Sequence, residues 1–449
     1  MDAATNSSQS VPRWIRNSLL GAGIAVLTLY WIRLARIEPG QKMGDFLLHW
    51  ELGRRLVAGE FLYAGGHDSP YPPFWALAHA PLSLLSSKTA QLLVYPLIVA
   101  WLAGLVVVLR KLTDGEFQLN KRAAFWATTL AILFTARYLI RDLTEVGVNL
   151  LLVTLSWCAV LLWTRKREWL GGLTLGLAIA LKCTPALFWA WFVLKRQWKM
   201  AGITAAATLL FSVSPVLVQG PEQFARAGTF WIQNTLRGIS HEDPSSGVLG
   251  PIQLQNMSLK GTLARFLMEL PEWHPGRADH ALYRHVLNLD AATANQSIRL
   301  ILIALVAGVA WRLRKPVVKR TDPALFRECA SVSVLILLLS PITWGQHCVG
   351  ALPALYLMFA RRMAERRFTV GTRVFIGSWS VFVLALFGDA TGRSIAHLLQ
   401  SYHVETWCIA ALLAVTLGDH ARCTALAGLR VGGAIIPGPV RKRAVRRAA

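Results

Sequence analysis

The richest run of chemistry-bearing side chains lies between residues 44 and 74, GDFLLHWELGRRLVAGEFLYAGGHDSPYPPF. It holds an acid (Asp45), an arginine pair (Arg54, Arg55), the aromatics Trp50, Tyr63 and Tyr71, and the rigid pair Pro72–Pro73. A carboxylate beside aromatics near a membrane interface can act as a general base. The plainer alternative for Asp45 is a solvated loop acid. Arginine grips phosphate through two parallel N–H bonds. An amphipathic helix over 45–58 would turn Trp50, Arg54 and Val57 towards one surface. Such a helix could equally lie in the interface with its cations among lipid headgroups.

Four further stretches carry polar groups inside apolar surroundings. Lys182 stands in GLAIALKCTPALF. An intramembrane cation is read first as functional, and at the tip of a helical hairpin it would meet an anionic phosphate. Its structural alternative is pairing with Asp142 or Glu145. Asn149 closes RDLTEVGVN, placed either to bond a sugar hydroxyl or to cap a helix. LQNMSLKGTLARF supplies Asn256, Ser258 and Arg265 along an amphipathic stretch, which also reads as a surface helix. SPITWGQH ends one apolar span and opens the next; Pro341 breaks the helix there. Trp344 and His347 would then share a vestibule with Asp45, unless they are an aromatic-belt Trp and an interfacial His. His241, Glu242 and Asp243 are consecutive, so regular structure cannot turn all three to one ion, and no metal or cofactor is expected. GxGxxG, Walker and GxSxG motifs are absent.

These residues must be held by a chain of 449 residues that is 54% hydrophobic and 16% charged. Soluble domains carry nearer a quarter charged residues, and lipid is the solvent that tolerates so much apolar surface. The expected fold is all-α and polytopic, with about 10–13 membrane helices. Apolar spans fall near 18–35, 91–109, 123–140, 147–163, 200–218, 297–311, 326–343, 347–360, 374–388 and 404–418. The stretch 71–86 is short and Pro-rich, and either lies in the interface or re-enters the membrane. The net charge of +23 does not imply nucleic acid, because the cations sit in short clusters between spans, as cytoplasmic loops do. The six cysteines form no CxxC pair and fall mostly in apolar spans, as packing residues do.

The basic clusters set the expected orientation. Placing 110–122, 165–167, 195–199, 312–320, 361–367 and the tail inside leaves 37–70 and 220–296 outside. The longer of these carries six basic residues against seven acids. The organisation is then a cytoplasmic tail (1–17), a transmembrane domain (18–418) with outer loops at 37–70 and 220–296, and a basic cytoplasmic tail (419–449) with affinity for anionic membrane lipids. It holds only if 170–194 is a hairpin dipping from the inside and turning at Lys182-Cys183-Thr184-Pro185; as one kinked span it would leave basic clusters on both sides.

Taken in order, the stretches resemble glycosyltransferase family 87, the polyprenyl-phosphate-mannose-dependent α-mannosyltransferases of the GT-C superfamily. GDFLLHW with VAGEFLY and SPYPPF resembles the family's first outer loop. VGVNLLL is similar to its Gly-Gln-x-Asn element. GGLTLGLAIALKCTPALF resembles a Gly-rich run into Lys-x-x-Pro. QNMSLKGTLAR resembles Asn-Gln-Ser-Leu-x-Gly-x-x-x-Arg, and SPITWGQH resembles Ser-Pro-x-x-Trp-x-x-His. Two departures stand out. The Gln of the second element is missing around Val148–Asn149, and Met257 stands where the fourth has Gln.

The resemblance implies a GT-C-like fold and an inverting transfer at the outer face of a bacterial inner membrane. The donor would be a polyprenyl-phosphate sugar, most readily mannose, and the acceptor a lipid-linked or cell-envelope glycan. Asp45 is implied as the catalytic base, with Trp344 and His347 lining the site. Tyr63, Tyr71, Asn149, Asn256 and Ser258 would contact substrate, and the leaving phosphate would meet cations drawn from Lys182, Arg265, Arg54 and Arg55. The rivals are a lipid or solute transporter or flippase, and a pentosyl (arabinofuranosyl) transferase with another lipid donor. A transporter would line a path through the midplane; an enzyme would gather Asp45, Lys182 and His347 in one outer-face cavity.

Overall fold

Helix α1 (Arg13–Arg36) has 24 residues, about 36 Å at 1.5 Å per residue, enough to cross a bilayer. In this computed structural model, residues 11–37, 44–64, 71–113, 119–236, 243–247, 250–278, 285–384 and 392–431 are described. The two chain ends, 38–43 and 65–70 of the first loop, and His241 and Glu242 lie outside the described residues. Helices α4 (Ser87–Thr113), α5 (Lys121–Thr144) and α13 (Ala291–Leu313) are, like α1, long and apolar enough to span. The bent pairs α9–α10 (Trp198–Val213, Val216–Trp231; 85°) and α17–α18 (Arg393–Ser401, Val404–Val431; 55°) each pass when joined. Between them come α2 (Phe46–Val57), α3 (Pro73–Ser83), α6 (Asn149–Thr164), α7 (Glu168–Leu181), α8 (Ala186–Leu194), α11 (Leu259–Leu267), α12 (Pro275–Ala278), α14 (Pro323–Leu339), α15 (Leu352–Ala364) and α16 (Val370–Trp379). A two-residue hairpin pairing Ser246–Gly247 with Gly250–Pro251 is the strand structure among the described residues. The all-helical expectation holds.

The shorter helices are short for a physical reason. Helix α14 is buried from Ala324 to Leu338 except at Ile336, and α15 from Leu352 to Arg362. They form the bundle's centre, where protein rather than lipid surrounds the backbone. The outer helices carry the lipid-facing surface: Leu20 and Leu29 on α1, Leu209 and Leu210 on α9, and Leu300 and Ile303 on α13 are all well exposed. The stretch 71–86 does not cross alone. Its helix α3 has 11 residues, about 16 Å, roughly half the hydrocarbon thickness.

The expected hairpin over 170–194 is present, and its base is locked. Helix α7 stops because Lys182 is extended (φ −155°, ψ 130°). Pro185 then opens α8; its ring and missing N–H prevent the helix from running through. Both arms end on the same structures. At the start of α7, Glu168 pairs with Arg320 at 2.7 Å. Just past α8, the buried Lys195 meets Glu328 at 2.6 Å and donates to the carbonyls of Leu313 and Lys315. Trp191 Nε1 adds 2.9 Å to the same carboxylate. The return arm is thus fastened to α14 at its base. The outgoing arm packs on α9 through Gly172 and Gly176, four residues apart. A Cβ at either would lie 2.6 Å from Ile203 or Ala207 side-chain atoms, so glycine is what lets these helices meet.

Following the chain, the basic clusters at 110–122, 165–167, 195–199, 312–320 and 361–367 all fall at one end of the helices. Asp45, Asp142, Lys182 and His347 fall at the other. This is the segregation expected for a membrane protein whose loops follow the positive-inside bias.

Candidate active site

Chain entry into α2 depends on one glycine. Gly44 has φ +64°, and a Cβ there would lie 2.5 Å from Glu145 Oε2 and 2.9 Å from Glu145 Cα. Asp45 follows at the helix N-terminus without capping it, and its Oδ2 accepts a 2.8 Å bond from Gln346 Nε2. The helix dipole favours a negative charge at this position. The next residue, His347, reaches the hairpin tip: Lys182 Nζ and His347 Nε2 are 3.1 Å apart. The backbone N–H of Trp344 donates to His347 Nδ1 at 3.1 Å, which holds the ring. Successive residues of one turn therefore hold the acid and the lysine. At this distance the lysine can donate one N–H to the imidazole and still offer its others to an anion beside it.

The wall of the site is aromatic. Lys182 Nζ lies 5.4 Å from the Tyr71 ring centroid. Tyr71 stacks on Trp75 at 4.1 Å, and Trp75 stacks on His79 at 4.7 Å. His49 meets Tyr71 and Trp75 edge-on at 4.9 Å. Tyr63 donates to the Tyr71 carbonyl at 3.0 Å and stacks on Phe230 of α10. Burial holds the His49 imidazole well below its ordinary 6.5, with His79 and Lys182 adding to the effect. Burial likewise lowers His79 to about 4, against the bond from its ring to the Trp75 carbonyl, and drives the Tyr71 hydroxyl upward. The wall is therefore neutral.

A second carboxylate, Asp142, lies fully buried at the end of α5. It accepts from Asn149 Nδ2 at 2.8 Å and from the Leu150 N–H at 3.2 Å. Val148 offers α6 no side-chain cap, so Asp142 caps α6 from across the turn. That turn holds Val146 at φ +48°, an unfavourable conformation for a β-branched residue.

The other sequence candidates divide. Arg54 is held by Glu51 and Glu60 at 2.8 Å each. Arg55 binds Glu51 and the carbonyls of Leu62 and Ala64. This pair braces the first loop. Asn256 bonds the Pro341 carbonyl and accepts from Thr343 and Ser258 N–H groups. It staples the long loop before α13 to the SPITW turn. Ser258 caps α11. Arg265, 2% exposed, lies against the rings of Phe266 and Tyr402. Asp45, Tyr71, Lys182 and His347 come together; Arg54, Arg55, Asn256 and Ser258 bond within the surrounding loops and helices, and Arg265 lines a separate small cavity with His274 and His403. Gln346 and His49 were missed. A glutamine between Trp344 and His347 gives no signal until its partner, 301 positions away, is known.

The sequence model of glycosyltransferase family 87 matches residues 70–341, more than half of the chain. The chain belongs to that family. It is therefore a multi-pass membrane glycosyltransferase. Among curated relatives, a polyprenol-phosphate-mannose-dependent alpha-(1-2)-phosphatidylinositol mannoside mannosyltransferase of Mycolicibacterium smegmatis is 27% identical over 395 residues, covering 83% of this chain and 82% of the relative. A polyprenol-phosphate-mannose-dependent alpha-(1-2)-phosphatidylinositol pentamannoside mannosyltransferase of the same organism is 28% identical over 322 residues, 71% of this chain and 66% of the relative. Among solved structures, ArnT from Cupriavidus metallidurans in the apo state aligns over 90% of this chain and 78% of its own, at 14% identity and a TM-score of 0.41; that likeness is too distant to build on.

Proposed function

We propose that this glycosyltransferase moves mannose from a polyprenyl-phosphate donor to a hydroxyl of a lipid-linked glycan or glycolipid, with inversion, at the outer face of a bacterial inner membrane. Asp45 takes the proton of the acceptor hydroxyl. The hydroxyl oxygen attacks the anomeric carbon as the bond from that carbon to the phosphate oxygen breaks. Polyprenyl phosphate departs carrying the electron pair, and its charge is met by Lys182 beside His347. The relatives named above use this donor class and glycolipid acceptors. The basic clusters lying at the opposite helix ends support the outer-face reading.

The observation that carries the reading is the Gln346–His347 step, which holds Asp45 by one residue and Lys182 by the next. An acid and a cation held side by side at the same end of the helices suit acceptor activation and phosphate departure. They do not suit a transporter, which needs a path through the midplane. The test is transfer of labelled mannose from polyprenyl-phosphate mannose by purified Asp45→Asn protein. Asparagine keeps the size and can still accept from Gln346, but it cannot take a proton at working pH. Turnover should fall by about two to four orders of magnitude with the melting temperature near that of the parent. Near-normal turnover would remove Asp45 from the mechanism.

A further inference from the structure

Where the end of α8 meets the end of α13, on the side of the helices that carries the basic clusters, lies a cleft of about 530 Å³. That is within the usual range of small-ligand pockets. Arg196, Arg314 and Lys315 line it, with Val193, Leu194 and Pro316 as its apolar surface. We infer that this cleft binds the headgroup of an anionic glycerophospholipid from the leaflet at that end of the helices. The inference stands apart from the donor reading, because the cleft and Lys182 lie at opposite helix ends.

Charge selects the ligand. Several cations at this end have acids beside them. Arg320 pairs with Glu168, Arg361 and Arg362 share Glu365, and Lys195 takes Glu328. Among the described residues, Arg196, Arg314 and Lys315 form no ion pair, and no acid lines the cleft. Three cations without a counter-charge around one hollow attract a phosphate. A choline or ethanolamine headgroup would bring a further cation into the same space, and like charges repel.

Depth argues for a lipid over a dissolved anion. Trp198, on the cleft wall, is 65% exposed, and Trp311 is 67% exposed. The Arg314 guanidinium lies 3.6 Å from the Trp311 ring centroid. Large exposed indoles belong at the headgroup level of a membrane. They set the cleft where lipid phosphates lie, with its apolar surface towards the glycerol and the first acyl carbons.

The cleft is also built in advance of its ligand. Buried Lys195 donates to the carbonyls of Leu313 and Lys315, which ties one wall to the other. The turn after α8 is closed by the Arg196 N–H on the Val193 carbonyl and the Gln197 N–H on the Phe192 carbonyl, both at 2.9 Å. Helices that end with this pair of bonds usually place glycine where Arg196 stands. Arg196 holds φ +56° there, an unfavourable conformation for a residue with a Cβ. The fold thus keeps a cation at the edge of the cleft in a place where glycine would relax the backbone.

The test uses the full-length protein in detergent, titrated with phosphatidylglycerol and followed by native mass spectrometry. The readout is the affinity for the first lipid bound. Arg196→Gln/Arg314→Gln/Lys315→Gln should weaken it by roughly a hundredfold, since each cation near an anionic membrane surface strengthens attraction about fivefold. Arg110→Gln/Lys121→Gln/Arg122→Gln removes the same charge from the same end of the helices and should change it by less than about threefold. Equal losses in the two triple variants would overturn the inference, leaving a diffuse attraction between a basic face and lipid. Equal affinity of the parent for phosphatidylcholine would overturn it too. So would displacement of the lipid by an equal concentration of glycerol phosphate, which would mark a site for dissolved anions. If the first triple variant does not fold, the parent protein decides. Phosphatidylglycerol with a diazirine next to its glycerol should label residues 193–198 and 313–316 saturably. Saturable labelling confined to other segments, or none, would overturn the inference.

Discussion

Replacing Gln346 by glutamate tests whether Asp45 works as a base. The Gln346 amide lies 2.8 Å from Asp45 Oδ2, so Gln346→Glu sets a second carboxylate against the first with almost no change in volume. Two unit charges about 4 Å apart repel by about 4 kcal/mol at an effective dielectric constant near 20. At 1.36 kcal/mol per unit, that corresponds to about three pH units. The two carboxylates would therefore share one proton up to about neutrality, and the base would be blocked below it. Transfer from polyprenyl-phosphate mannose, followed from pH 5 to 10, should show the acid limb of the kcat/KM profile displaced upward by about two to three units. Activity should fall by roughly 10–100-fold near pH 5, about twofold at most near pH 7, and recover on the alkaline side. Gln346→Leu is the control. It removes a hydrogen bond to the charged form, worth about 1.5–3 kcal/mol, so it displaces the limb upward by less than Gln346→Glu does, about one to two units. A Gln346→Glu enzyme that is active with the parent's pH profile would refute the assignment of Asp45.

Lys182→Ala should lower kcat/KM for the lipid donor about 10–100-fold, as expected for losing a charge-assisted bond to phosphate, and Lys182→Arg should rescue only part, because the guanidinium is wider and planar. Unchanged donor turnover in folded Lys182→Ala protein would make this lysine structural. His49 and His79 stay neutral in the fold, while an unfolded imidazole titrates near 6.5. Stability from both is present above that value and is lost as pH falls, because the unfolded chain takes up protons that the fold refuses. For His79, lowered to about 4, the loss by pH 5 is about 2 kcal/mol. The melting temperature should drop between pH 7 and 5, and drop less in His49→Phe; a flat curve would contradict the buried neutral wall. Cys183 at the hairpin tip is exposed, and the other free cysteines described are buried or half-buried. In a Cys423→Ser background, an impermeant maleimide should label Cys183 in intact cells, and labelling only after lysis would reverse the proposed orientation.

Much of this protein was legible in its residues because the relevant forces are local. An apolar span reports its own need for lipid, and a basic cluster reports its own cost of crossing, so the spans and the segregation of charge could be read directly. Lys182 followed by Pro185 announced a break in a hairpin, since both the missing N–H and the buried cation act where they stand. Asp45, Lys182 and His347 could be nominated because an isolated charge or imidazole in apolar surroundings is conspicuous.

What only the tertiary structure decided is which polar groups find each other. Arg54 and Arg55 looked equipped for phosphate, yet Glu51 and Glu60 occupy them at short range. Asn256 looked equipped for a sugar, yet its amide and carbonyl are spent on the SPITW turn. Gln346 drew no notice, yet it holds the acid. Hydrogen bonds and ion pairs are short-ranged and are satisfied across tens or hundreds of residues. The sequence of this chain determined which groups must find partners in a medium without water; only the packing of α2, α5, α7, α8 and α14 determined which partners they found.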